Sequence, residues 1–130
     1  MSPTARSLAL VRRRGGIAGT VERWNPHSKT RHDFLGFADI LAIQPGQLGV
    51  LAIQACVTGD QSKRLEKIRQ EPRAALWLAA GNRIAVWGWA KRGARGKRKT
   101  WTLSETPFFA VDCSPDVNHV STGYAHQEIA

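Results

Sequence analysis

The chain of 130 residues carries 19 Lys and Arg against 10 Asp and Glu, a formal charge of +9, and 42% of its residues are hydrophobic. That length suits one domain, and that hydrophobic share supports a core, which argues against a disordered chain. No apolar run approaches the ~18–20 residues of a membrane span, Met1 to Ser7 lacks the apolar stretch of a secretory signal, and Cys56 and Cys113 are too few for a disulfide scaffold, so the expectation is a cytoplasmic protein without a membrane partner.

Thr4 to Arg14 reads as a helix. Pro3 or Thr4 can open it, Ala5, Leu8 and Val11 share a face, and Gly15-Gly16 stop it. Ile17 to Trp24, rich in Ile, Val and Thr, predicts a first strand, and Asn25 to His32 a polar loop. Phe37 to Gln44 predicts a second strand, Pro45-Gly46 a turn, and Leu48 to Cys56 a third strand. The third is almost wholly apolar, which implies burial on both faces, and the short turn makes the two strands an antiparallel hairpin. Thr58 or Asp60 can cap a helix over Gln61 to Glu71, with Leu65 and Ile68 inward, and Pro72 suits the start of a further helical segment, Arg73 to Ala80. Ile84 to Ala90 predicts a fourth strand, and Lys99 to Leu103 pairs back as a fifth. The fold class expected is α/β, a mixed central sheet flanked by helices. One domain is expected over 1–103, with 104–130 an acidic and loosely held tail in which Pro107 to Val111 forms a short edge strand.

The charge is segregated. Residues 1–103 hold all nineteen cations and six acids, a net of +13, whereas 104–130 hold four acids and no Lys or Arg. Two clusters stand out, Arg12-Arg13-Arg14 and the run Lys91, Arg92, Arg95, Lys97, Arg98 and Lys99. Such patches attract polyanions by Coulomb forces and counterion release, so nucleic acid is the expected partner, with Lys29, Arg31 and Arg64 as further candidate phosphate contacts. Trp24 and Trp101 flank basic segments and are candidates for stacking on bases. The histidines show no metal-ligand spacing.

Chemistry points to the second and third strands. Asp39 interrupts an apolar strand, where a carboxylate is costly to bury without a partner. Gln54 is the corresponding polar residue of the third strand, and a hairpin can set the two face to face, although the register is open. Two oxygen-bearing side chains there suit a hard cation such as Mg²⁺.

The segment Ala38-Asp39-Ile40-Leu41-Ala42 followed by Gln54-Ala55-Cys56 resembles the PD-(D/E)xK nuclease superfamily, and within it the archaeal-type Holliday junction resolvases and their phage and prophage relatives. The resemblance covers residues 4–91. It implies a restriction-endonuclease-like α-β-β-β-α-β core and a strand-two Asp with a strand-three Glu-x-Lys holding Mg²⁺ or Mn²⁺. Asp39 matches the Asp, Gln54 stands at the Glu, the carbonyl of Ala55 matches the middle ligand, and Cys56 replaces the Lys. The first helix lacks the acid such resolvases carry, so Glu22 or Asp33 is the expected substitute, and Lys63, Arg64 or Lys67 can supply the missing cation, with Lys63 the first choice for a catalytic role. The function implied is a metal-dependent, structure-selective DNA endonuclease, cutting branched or junction DNA as a homodimer, with the Trp-rich fourth strand near the dimer interface. The alternative is a degenerate nuclease fold that binds branched DNA, or RNA, without cleaving it.

Overall fold

The computed structural model describes residues 1–114. Helix α1 spans Pro3–Arg13, with Ser2 as its N-cap. The Ser2 hydroxyl accepts from the Ala5 N–H at 3.1 Å, and Pro3 occupies a first-turn position where no N–H is needed. Strands β1 (Ile17–Thr20), β4 (Ile40–Ile43), β5 (Leu51–Val57), β6 (Arg83–Arg92) and β7 (Thr100–Phe108) form one five-stranded sheet in the order β1-β4-β5-β6-β7. All neighbours are antiparallel except β5 and β6, which are parallel. A parallel pair needs a crossover, supplied here by α2 (Gln61–Arg69) and α3 (Pro72–Ala79). The protein is therefore mixed α/β, with a mixed central sheet between helices.

Every residue from Leu51 to Cys56 is buried, as an apolar central strand requires. Their side chains alternate between two cores. Leu51 and Ile53 join Val11, Ile40, Ala42, Ala85 and Trp87 beneath α1. Ala52 and Cys56 join Phe37, Ala38, Ile68, Ala74, Ile84, Val86 and Phe108 beneath α2 and α3. Trp87 and Trp89 are both buried in the core, and the Trp89 indole N–H donates to Ser7 Oγ of α1 at 2.9 Å. Where β5 begins, Gly49 adopts φ +77°, and a Cβ there would lie 2.1 Å from the carbonyl oxygen of Gly81, so the β4–β5 turn closes only with glycine.

Four predicted elements differ. The first strand ends at Thr20, not Trp24, because the chain leaves the sheet there. Strands β2 (Arg23–Asn25) and β3 (Thr30–His32) form a separate hairpin where a loop was expected. Asn25 Oδ1 accepts from the N–H of His27 and of Ser28, and Lys29 takes φ +54°, so polar turn chemistry orders a segment that shows no apolar alternation. The fifth strand continues to Phe108, because an edge strand tolerates Pro107 and exposes its polar residues on the outer side. The expected edge strand at 107–111 is instead the end of β7 followed by a helical turn at Ala110–Asp112, and Cys113 is buried. The ordered domain thus passes the expected boundary at 103, and Glu105 of the expected tail pairs with Arg14 at 3.0 Å. Residues 115–130 of that tail lie outside the described residues. Among the described residues no helix is long and apolar enough to cross a membrane.

The Ser7–Trp89 bond fixes the first turns of α1 against β6. Ser7→Ala would leave a buried indole N–H without its acceptor, and the expected loss is about 1–3 kcal/mol in a urea denaturation curve, with an unchanged m-value.

Candidate metal centre

The site is built by strand register. Ile40 pairs with Ile53, and the Asp39 N–H donates to the Ile53 carbonyl at 3.0 Å, so the next step along the ladder sets Asp39 opposite Gln54. On the other side of Asp39, its carbonyl accepts from the Val21 N–H at 2.9 Å, which brings Glu22 alongside. One residue earlier, Ala38 forms a two-way bridge with Phe34, which brings Asp33 alongside as well. That bridge closes over Leu35 and Gly36, at φ +54° and +78°, a tight turn with two left-handed residues. The β2–β3 hairpin is thus an excursion whose two ends deliver Glu22 and Asp33 to the same carboxylate. One carboxylate oxygen from each of Glu22, Asp33 and Asp39 lies within 4.8 Å of the others.

Asp39 is 5% exposed and Gln54 1%. Asp39 Oδ2 accepts from Gln54 Nε2 at 2.5 Å and from the Ala55 N–H at 2.9 Å. Ala55 thus engages the site through its N–H. The Gln54 Oε1 is buried and has no hydrogen-bond partner among the described residues, an orphaned oxygen on the side chain that grips Asp39. The three carboxylates form a hard, all-oxygen donor set, which fits Mg²⁺ or Mn²⁺.

Cations surround the acids. Lys67 Nζ meets Asp33 Oδ2 at 2.5 Å and Arg31 meets Glu22 at 3.2 Å. A cavity of about 550 Å³ opens on Glu22, Asp33, Asp39 and Ala55, between the first turns of α1 and Arg64. Arg64 itself makes no salt bridge or side-chain hydrogen bond among the described residues. Lys63, the expected catalytic lysine, is exposed and does not line this cavity; Lys67, one turn on, carries the cation that touches an acid. Lys67 and Arg64 sit three residues apart on α2 near its inward Ile68, but Lys63 lies four residues before Lys67, so spacing alone does not separate the three and the rotation of the helix does. Cys56 is buried in the α2–α3 core, and burial pushes its thiol pKa up, so it supplies no charge.

The basic runs fall at different places. Pairing of β5 with β6 ends at Val57 and Trp89, but β6 and β7 stay paired through Arg92 and Thr100. A two-stranded ribbon therefore projects past the sheet, at the end where the acids sit, and carries exposed Lys91, Arg92, Arg95, Lys97, Arg98 and Lys99. At its base, Arg6 lies 4.0 Å and Lys91 5.6 Å from the centre of the Trp101 ring, which is 39% exposed. Arg12, Arg13 and Arg14 end α1 at the opposite end, since the chain runs on to Ile17 and its partner Ile43. Arg12 donates to the Ala18 carbonyl and Arg14 is paired with Glu105, so neither these nor exposed Lys29 in the hairpin turn lines the acidic cavity. Trp24 is exposed on the same hairpin.

Comparison with family models, with curated proteins and with solved structures returned no match.

Burial raises the pKa of Asp39 from 3.8 to about 7, reinforced by the hydrogen bond and negative charge of Asp33 and offset in part by the Ala55 N–H and the Gln54 amide. Burial also acts upward on Asp33, but the Asp39 carboxyl, Lys67 and the charge of Arg64 outweigh it, and its pKa is lowered. The two carboxyls therefore share one proton held by Asp39. A folded-state pKa above the unfolded value means that the protonated form stabilises the fold fully below about pH 4, and that this contribution is lost as the pH rises to about 7. Asp33 acts below pH 4, outside that window. In Asp39→Asn the amide oxygen can accept from Gln54 and Ala55 while its NH₂ donates to Asp33. The variant is expected to melt above the wild type at pH 8, by on the order of 2–4 kcal/mol, and to match it near pH 4, in calorimetric scans without divalent ions.

Proposed function

We propose that the protein is a metal-dependent, structure-selective DNA endonuclease of the PD-(D/E)xK kind, resolvase-like in its substrate. The observation that carries this reading is the meeting of Glu22, Asp33 and Asp39, delivered by three chain segments, at the end of the sheet from which the basic ribbon projects. The order of one helix, a strand meander and a helical crossover to a parallel strand agrees with a restriction-endonuclease-like core.

In this reading Asp39, Asp33 and Glu22 hold Mg²⁺ or Mn²⁺, and Gln54 fixes Asp39 in place. A bound divalent ion lowers the pKa of a water and offsets charge on the phosphate. Asp39 gives up its proton on ligation, so cleavage strengthens as the pH rises through about 7. Arg64, which lines the cavity and makes no salt bridge among the described residues, holds a non-bridging phosphate oxygen. The ribbon grips backbone phosphates; a two-stranded ribbon also fits the major groove, about 12 Å wide. Cutting both strands of a junction calls for a homodimer.

A second reading, a nuclease fold that binds branched DNA or RNA without turnover, draws on two observations. Gln54 contributes no charge, and the motif lysine is a buried Cys56.

Labelled junction, flap and duplex substrates with Mg²⁺ or Mn²⁺ decide between them. The expected outcome is cleavage of branched substrates, reduced at least roughly 100-fold in Asp39→Ala. No cleavage with tight, salt-sensitive binding selects the second reading, and RNA outcompeting branched DNA moves the substrate to RNA. Replacing the six ribbon cations by Gln is expected to weaken binding across sequences and to flatten the slope of log K against log salt by about 0.9 for each phosphate that is no longer neutralised.

A further inference from the structure

Beside the acidic cavity lies a second one, of about 510 Å³, lined by Arg31, His32, Asp33, Gly36, Arg64, Lys67 and Arg73. Its composition is the reverse of its neighbour's: four permanent cations and a histidine face it, with one carboxylate. The two cavities share Arg31, Asp33 and Arg64, so Asp33 forms a common wall, one side toward the acids and the other toward the cations.

The cations of this cavity differ in what holds them. Arg64 makes no salt bridge or side-chain hydrogen bond among the described residues, and its charge acts on Asp33. Lys67 is tied to Asp33 and Arg31 to Glu22, two of the three carboxylates of the candidate metal centre. Arg73 is paired with Glu71. The Lys67 and Arg31 side chains are 43% and 70% exposed while their partners Asp33 and Glu22 are 14% and 19%, so the cations, unlike the carboxylates, can be solvated when a stronger partner takes the oxygens. A divalent ion on Asp33 and Glu22 would compete for the same carboxylate oxygens. Both cations would then be released toward the basic cavity.

We propose that this cavity is a binding site for a second nucleotide phosphate of the same strand, and that Arg31 and Lys67 stand in for the divalent ion until it arrives. The proposal rests on the reading of Glu22, Asp33 and Asp39 as cation ligands. A phosphate oxyanion suits the donors: two or three guanidinium forks can each offer paired N–H groups, and Lys67 a point charge. Among the described residues Asp33 is the one acid in the cavity lining, with Glu71 at its edge paired to Arg73, and it is the acid the ion would neutralise. Ion and phosphate binding are therefore positively coupled, and reciprocity requires phosphate to tighten ion binding by the same factor.

Binding, not cleavage, tests it, so the outcome is independent of turnover. Inorganic phosphate and short single-stranded oligonucleotides with a 5′-phosphate, a 3′-phosphate or hydroxyl ends are titrated by calorimetry and anisotropy, with and without Ca²⁺. The expected result is tighter binding with Ca²⁺, and affinity roughly tenfold weaker in each of Lys67→Gln and Arg73→Gln, while Lys63→Gln on the same helix as Lys67 behaves as wild type. All three side chains are exposed, so the variants are expected to fold. A preference for one phosphorylated end assigns the site to a terminal phosphate. Equal binding of all ends, with the same weakening, assigns it to an internal phosphodiester. Lys67→Gln and Arg73→Gln indistinguishable from Lys63→Gln would overturn the site, and affinity for phosphate unchanged by Ca²⁺ would overturn the coupling. Absence of cleavage alongside this weakening would remove the nuclease reading and leave the phosphate site standing.

Discussion

The carboxyl of Asp39 is the constraint around which the rest is arranged. It sits in a ladder position with backbone on both sides, Ile53 and Gln54 across one edge and Val21 across the other. A buried carboxylate left alone in that position would be intolerable. Here it takes an N–H from Ala55, an amide hydrogen from Gln54 and a proton shared with Asp33, so its polar needs are met without a neighbouring cation touching it. The cost shows in its raised pKa. Groups shifted this way by burial and a like-charged neighbour are those whose ionisation a ligand can control.

The route of the chain between Thr20 and Ile40 follows from that constraint. A simple β-meander would connect the two strands in a few residues. Instead nineteen intervening positions form a hairpin and a tight turn, and three of their side chains, Glu22, Arg31 and Asp33, end at the cavity with Asp39 itself. The turn at Leu35 and Gly36 places a leucine in the left-handed region, a sparsely populated state for such a residue. Its effect is to reverse the chain within one step of Asp39. Strain of this kind concentrates at sites that bind or react, and here it fixes the separation of two carboxyls.

The sequence made the regular elements legible and left the excursion unread. Strands with near-continuous apolar runs, such as Leu51 to Cys56, and helices opened by Pro3 or Pro72 announce themselves through burial and helix-start chemistry. Asp39 and Gln54 were visible for the same reason, as polar residues where apolar ones were expected. The β2–β3 hairpin was not, because Arg23 to His32 contains no alternation and is held by an Asn side chain and local turns rather than by a core. Glu22 and Asp33 could be named only as acids within reach; their convergence depends on the Phe34–Ala38 bridge, which pattern alone does not encode. The choice among Lys63, Arg64 and Lys67 turned on the rotation of α2, a tertiary quantity. Strand β7 was read as two pieces, Lys99 to Leu103 and an edge strand from Pro107, because Ser104, Glu105 and Thr106 between them are polar and carry no apolar alternation.

Gln54 can be understood on electrostatic grounds. A glutamate at that position would stand 2.5 Å from Asp39 as a second buried acid, with Asp33 and Glu22 already adjacent. Such a cluster would depend on a bound cation or on further protons to fold. A glutamine turns the same contact from repulsion into donation and leaves one oxygen free, so the fold does not depend on an ion. Arg31 and Lys67 neutralise the two outer acids. On the proposed reading the consequence is a weaker and more exchangeable cation, loaded together with substrate rather than held permanently. The absence of a motif lysine fits the same arrangement, since a fixed ammonium at the buried position of Cys56 would face the α2–α3 core, whereas Lys67 and Arg64 reach the cavity edge from a helix surface where water can solvate them.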